Sequence, residues 1–254
     1  MIREDYMRKI LIALIIPALI VISWSILTSL NIVPEYILPS PSEVINSFLG
    51  LVGTNELLID TLATLSRVIT GLIIAAAIAI PLGIILGWSK KAENLSNLTI
   101  QILRPIPPLA WIPFAMLWFG LGFESAVFII FIGTFFPVLI NTIDGVKRIN
   151  KVFVESAYTL GASERQILTN VVMPASLPSI FTGLRVGIGI GLMCTVAAEM
   201  IAVKSGLGYL IMQSMNLIDT GGVIVGMIII GVIGFLMDFS FRRAENKYVL
   251  WSGN

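Results

Sequence analysis

The sequence predicts an all-α membrane protein of about six transmembrane helices, and three observations carry that expectation. Of its 254 residues, 57% are hydrophobic and only 12% are charged, whereas a soluble domain carries about a quarter charged residues. Apolar runs of about 20 residues recur, the length a helix needs to cross a hydrocarbon core of roughly 30 Å. Lysine and arginine gather in alternate connecting segments, the pattern that sets orientation in a bilayer.

The same composition excludes several function classes. Histidine is absent, which removes the usual imidazole base and the commonest metal ligand. Membrane metalloprotease and haem readings therefore fall away, and no nucleophile–base pair is evident for an intramembrane enzyme. The single cysteine, Cys194, can form no intramolecular disulfide.

The elements follow in order. A first apolar run, 10–30, lacks a small-residue cleavage site and reads as an anchor helix rather than a removed signal. In the segment 31–56, Pro41 suits the first position of a helix capped by Ser40. A short amphipathic surface helix is expected over 41–52, either a connector or a docking face for an external partner. The second span is 62–88. The third, 97–121, is broken, because Arg104-Pro-Ile-Pro-Pro-Leu-Ala-Trp-Ile-Pro113 places four prolines within nine residues and proline interrupts the helical ladder. Such breaks survive only against protein or a water-filled cavity. Arg104, Pro107, Pro108 and Trp111 are therefore candidates for a solute path or gate, with a simple kink near the cytoplasmic surface as the other reading. The remaining spans are 124–143, 177–202 and 221–241. This divides the chain into an N-terminal anchor and external amphipathic segment (1–56), a membrane core (57–241) carrying the loop 144–175, and a cytoplasmic tail (242–254).

With the N-terminus inside, twelve lysines and arginines fall on the inner side and only Lys204 on the outer. Both termini and the loop 144–175 are thus expected to be cytoplasmic. Besides Arg104, four charges inside the spans are candidates for a role there: Arg67, Arg185, Glu199 and Asp238. Arg67 and Asp238 lie near span ends, where they could snorkel. Arg185 and Glu199 lie on one face of the fifth span, about 21 Å apart along it, too far to pair with each other. Each faces either a protein partner or the solute path. Gly183, Gly187 and Gly191 give that span a small-residue stripe suited to close helix packing.

The loop is the most informative stretch. A helix over 151–160 is expected to end at Gly161 in a left-handed cap. Ser163 with Gln166 forms a capping box for a second helix, which Pro174 should end.

The spacing Glu155-Ser-Ala157, Gly161 and Met173-Pro174 resembles the EAA motif of the permease subunits of binding-protein-dependent ABC importers. Ser156 and Met173 are mild departures from it. Leu103–Pro113 with Trp118-Phe-Gly120, then Val196-Ala-Ala-Glu-Met200 and Ser205-Gly-Leu-Gly208, extend the likeness to the nitrate, sulfonate, taurine and bicarbonate branch of the type I importers. The resemblance implies the type I importer transmembrane fold in a cell membrane. It also implies a homodimer of this chain, two cytoplasmic ATPase subunits and an external solute-binding protein, with no nucleic acid involved. ATP and Mg would be bound by the ATPase partner, leaving this chain without a cofactor or catalytic residue of its own. By that match Glu155, Ala157, Gly161 and Pro174 are coupling residues. The solute implied is small, an anion such as nitrate, a sulfonate, taurine or bicarbonate. No Gly-x-x-x-x-Gly-Lys-Ser/Thr phosphate loop occurs in the chain. The competing reading is a self-sufficient secondary transporter or channel, which often shows internal repeats; none is convincing here.

Overall fold

The computed structural model describes residues 2–30 and 32–248, with side chains from Ile15 to Lys247 apart from Asn31. The described residues are almost entirely helical, in eleven α-helices. They are α1 (Ile2–Ser29), α2 (Pro41–Gly53), α3 (Glu56–Trp88), α4 (Lys90–Leu103), α5 (Ile112–Phe119), α6 (Phe123–Lys147), α7 (Lys151–Thr159), α8 (Glu164–Ile167), α9 (Met173–Ala202), α10 (Leu207–Asn216) and α11 (Thr220–Tyr248). A 3₁₀ turn at Pro108–Trp111 precedes α5, and a π-helical turn at Leu168–Val172 precedes α9.

Two compact units divide the chain. Residues 1–59 and 210–228 form one, and residues 60–209 and 229–254 form the other. Within the first, Trp24 Nε1 donates to the Pro39 carbonyl at 2.9 Å and pins the return from α1. Ser40 caps α2 as expected, accepting from Glu43 N at 3.3 Å while Glu43 Oε2 accepts from Ser40 N at 3.3 Å. Ser47 of α2 donates to Asp219 Oδ1 at 3.2 Å.

In the second unit α6 is the central post. Lipid tails are as apolar as leucine, so helices in a bilayer associate through close packing and interhelical hydrogen bonds rather than by hiding from solvent. The sequence supplies both. A Cβ added to Gly183, Gly187 or Gly191 of α9 would stand 2.8–2.9 Å from Asn141 or Thr134 of α6. Only hydrogen atoms on those three residues let the helices approach this closely. Thr134 Oγ1 adds a buried hydrogen bond to the Gly187 carbonyl at 3.3 Å. On the opposite flank Gly71 and Gly83 of α3 sit equally close to Ile130 and Thr142 of α6. Three apolar clusters line up along the post: Ala126, Ile129, Cys194 and Ala198 at one end, Ala79, Val138 and Leu139 in the middle, and Val146, Ile167 and Val172 at the other.

Helices α3, α6, α8 through α9, and α11 are each long and apolar enough to cross a membrane. The expected first span, 10–30, falls on the single helix α1, Ile2–Ser29. The third expected span is broken as expected, though its first half starts at Lys90 rather than at 97. The break falls between two different kinds of helix, α4 and the 108–119 piece, bent by 85°. Lys90, Lys91, Glu93 and three asparagine or glutamine side chains make α4 amphipathic, with none of its residues buried. One expectation fails at Pro174. It does not end a helix but sits at the first turn of α9, where its missing N–H is harmless. The widened turn before it, with Met173 N donating to the Leu168 carbonyl, carries the helix through. The last helix also runs beyond 241, so the tail foreseen at 242–254 is helical to Tyr248, and 249–254 lie outside the described residues.

Candidate functional site

Three places bring the chemistry-bearing residues together, all within the unit 60–209 and 229–254. The first is the hairpin α7–α8. Asn150 caps α7 by accepting from Val152 N at 3.0 Å. Gly161 takes φ +82°, and the two bonds of a Schellman motif close the helix. Gly161 N donates to the Tyr158 carbonyl at 2.9 Å and Ala162 N to the Ala157 carbonyl at 3.0 Å. Ser163 and Gln166 complete the capping box of α8. The elbow is therefore set by backbone geometry at every residue from 157 to 166.

Two faces result. Val154 and Ala157, three apart, pack with Val146, Ile167 and Val172 and with Ile84 and Trp88 at the end of α3. Trp88 Nε1 also donates to Glu164 Oε1 at 3.0 Å, and Lys147 pairs with Glu93. The other face leaves Val152, Phe153, Tyr158 and Leu160 exposed, Leu160 by 88%. Glu155 is exposed beside Lys90, Lys147 and Lys151 on the wall of a cavity of about 570 Å³. Of the four residues in the motif, Glu155, Ala157 and Gly161 thus lie on the hairpin, while Pro174 belongs to the start of α9.

The second place is a buried polar knot at the far end of the bundle from the hairpin. Asp60, Thr64 and Arg67 are spaced four and three apart, so α3 presents them on one face. Arg67 Nη1 donates to Glu199 Oε1 at 2.7 Å and to the Ser205 carbonyl at 2.9 Å, and Nη2 donates to Ser205 Oγ at 2.7 Å. Thr64 Oγ1 donates to Glu199 Oε2 at 2.9 Å and accepts from Leu207 N at 2.8 Å. Gly208 N reaches the same carboxylate at 2.9 Å, and Gly206 N reaches Asp60 Oδ1 at 2.7 Å. Any side chain at Gly206, held at φ +107°, would collide with the Glu199 carboxylate. The Ser205-Gly-Leu-Gly208 stretch is thus a strap shaped to this one carboxylate.

That arrangement corrects the sequence reading of Arg67. It does not snorkel: it is 5% exposed and paired with Glu199, which is fully buried. Glu199 lines no cavity in this conformation. The signal that sequence reasoning missed was the polar stripe 60–64–67 on an otherwise apolar helix. Asp238 likewise finds partners, accepting from Arg185 Nε at 2.9 Å and Arg242 Nε at 2.8 Å. Glu245 adds a second carboxylate to Arg185 at 3.5 Å. Arg185 therefore ties α9 to α11.

The third place is a cavity of about 290 Å³ at the broken segment, bordered by Arg104, Pro108, α6 and α9. Pro107 precedes the 3₁₀ turn. Trp111 packs against Ala115, Ile129 and Cys194 and starts an aromatic series through Phe114, Trp118 and Phe128 with centroid spacings of 5.6–6.5 Å.

Comparison with known proteins places this geometry. Residues 79–249 match the family model described as the binding-protein-dependent transport system inner membrane component. A putative ABC transporter permease protein of Methanocaldococcus jannaschii is 49% identical, covering 96% of this chain and 93% of that protein. The taurine transport system permease protein of Escherichia coli is 33% identical over 97% of this chain and 91% of its own length. The nitrate import permease protein of Synechocystis is 35% identical over 96% and 91%. Among solved structures, a chain of the inward-facing MetNI methionine ABC transporter superposes with a TM-score of 0.65 at 19% identity, covering 73% of this chain and 93% of that one. The likeness to that structure concerns the fold alone. On the sequence match across its core, the chain belongs to the family of binding-protein-dependent transport system inner membrane components, the permeases of ABC importers.

Proposed function

We propose that the chain works as a pair of copies with two cytoplasmic ATPase subunits and an external solute-binding protein, importing a small anion of the sulfonate, taurine, nitrate or bicarbonate kind. The observation that carries this reading is the α7–α8 hairpin. It presents an exposed apolar face on a joint whose every turn is fixed by capping, which suits a surface that must transmit a partner's movement without yielding. Glu155, Ala157 and Gly161 act there as coupling residues. The relatives named for taurine and nitrate support the solute class. ATP and Mg belong to the partner ATPase, and this chain supplies the path and the joint.

The test is reconstitution in vesicles with an ATPase subunit and a binding protein from the same source. Uptake is expected to require all three proteins and ATP hydrolysis. Uptake by the purified chain alone, driven by an ion gradient, would identify a secondary transporter instead.

Orientation supplies a further check. The excess of twelve positive charges over one on the hairpin's side supports a cytoplasmic hairpin. A cysteine at Asn150 is expected to resist an impermeant thiol reagent in intact cells, while one at Asn55 labels. Labelling of position 150 from outside removes the ATPase-docking role.

A further inference from the structure

Helix α2 divides its surface in three. Val44, Ser47 and Leu51 share one side, within about 60° of each other at 100° per residue. That side meets the protein. Val44 is buried, Ser47 Oγ donates to Asp219 Oδ1 at 3.2 Å, and a Cβ on Gly221 would collide with the Ser47 hydroxyl. A second side, about 220–300° round from Ser47, carries Ser42, Asn46, Gly50 and Gly53. All four are exposed, and nothing lies within 4 Å of a Cβ added to either glycine. The sector between, at about 100–200°, holds Ile45, Phe48, Leu49 and Val52. These large apolar side chains are 39–59% exposed, so the rest of the chain leaves this face uncovered. An apolar sector set between a protein-bound side and a polar side is the pattern of a helix lying at a bilayer boundary. Its neighbours put it there. Only Thr54 and Asn55 separate α2 from α3, which is long and apolar enough to cross a membrane and exposes Leu58 and Ile59 as it begins. On the other flank, α1 exposes Leu19, Ile22 and Ile26 before the return pinned by Trp24.

We propose that α2 lies in the bilayer interface, with Ile45, Phe48, Leu49 and Val52 sunk among lipid acyl chains and the Ser42 and Asn46 side in water. It thereby fixes the level at which α3 enters the bilayer. The partner is the apolar boundary and not a charged headgroup. Residues 10–66 contain no lysine or arginine, while Glu35, Glu43, Glu56 and Asp60 fall among them. Attraction to anionic lipid therefore has no basic group to act on here. A water-soluble partner that docks and leaves fits less well. Interfaces of that kind are about as apolar as the rest of a protein surface, whereas this sector holds no polar side chain. The inference is independent of the importer reading and of which side of the membrane α2 occupies.

A nitroxide scan tests it. The full chain with Cys194→Ala receives one further replacement at a time: Ser42→Cys, Ile45→Cys, Asn46→Cys, Ser47→Cys, Leu49→Cys or Val52→Cys. Each variant is spin-labelled and placed in phosphatidylcholine nanodiscs. Collisions with oxygen, which concentrates among acyl chains, are compared with collisions with a neutral nickel chelate, which stays in water. The oxygen-to-nickel ratio is expected to be severalfold higher at 45, 49 and 52 than at 42 and 46, with few collisions of either kind at 47. Replacing half the lipid with phosphatidylglycerol is expected to leave that profile unchanged. Nickel collisions as frequent at 49 as at 46 overturn the proposal by placing the sector in water. Few collisions of either kind at 45, 49 and 52 overturn it by putting a second copy of the chain on the sector. A profile that appears only with phosphatidylglycerol overturns the apolar account. Cys194 is buried, so the natural cysteine can stay if Cys194→Ala does not fold. No readout involves uptake or ATP hydrolysis, so failure here leaves the importer reading standing.

Discussion

Replacing Glu199 with alanine is expected to cost about 3–5 kcal/mol of stability, because removing one member of a buried ion pair strands the other. The geometry leaves little room for rescue. Arg67 is buried on α3, and the lost carboxylate also accepts from Thr64 Oγ1 and Gly208 N. Three donors are orphaned at once, and the strap over residues 205–208 loses the group it is shaped to. The expected result is a purified protein that melts well below wild type and aggregates in detergent. Glu199→Gln should fall between the two, since an amide still accepts one hydrogen bond. The double replacement Arg67→Met with Glu199→Leu should recover the part of the loss due to the stranded charge, while Thr64 Oγ1 and Gly208 N still lack their acceptor. An alanine variant melting with wild type would show that water or lipid reaches the knot.

Gly161→Val is expected to abolish transport while leaving the membrane core folded. At φ +82° a β-branched residue is strained by about 1–2 kcal/mol. Nothing lies within 4 Å of the added Cβ, so the penalty is one of backbone conformation and not of collision. The chain will relieve it by opening the Schellman bonds to Tyr158 and Ala157, which re-aims α7 and its exposed Phe153 and Leu160. The expected phenotype is weak co-purification of the ATPase and hydrolysis that no longer responds to the binding protein. Gly161→Asn, which tolerates the left-handed region, should retain both. Ser163→Ala, losing one cap worth about 1 kcal/mol, should retain most transport. Full coupling in Gly161→Val would remove the hairpin from the energy-transfer route.

Features governed by local rules were legible in the sequence. Ser40 with Pro41 marked α2, Gly161 and Ser163 marked the elbow, and the glycine stripe of α9 marked its packing face. Each depends on residues within one or two turns of each other. Pro174 misled because its effect depends on what precedes it: a π-helical turn, not visible in residue types, carries the helix through to it. Arg67 misled for a different reason, its partner being Glu199. Their bond joins residues 132 positions apart, and without a partner in view an arginine five residues into a span is naturally assigned to the membrane surface. The family resemblance was readable because its motif gathers in the hairpin and the strap, where backbone geometry restricts the residue choice most tightly.

The passage of α8 through the π-helical turn into α9 has a mechanical consequence. Glu164 to Ala202 is one continuous helical run of 39 residues, a rod of about 58 Å at 1.5 Å per residue. One end carries the elbow and the other is riveted by Glu199 to α3. A tilt of about 10° displaces one end of such a rod relative to the other by about 10 Å, and the α6 contacts along Gly183, Gly187 and Gly191 must move with it. The turn at 168–172 is the section of this lever where the helical ladder is already loosened, so bending stress concentrates there, one helical turn from the elbow and far from the rivet.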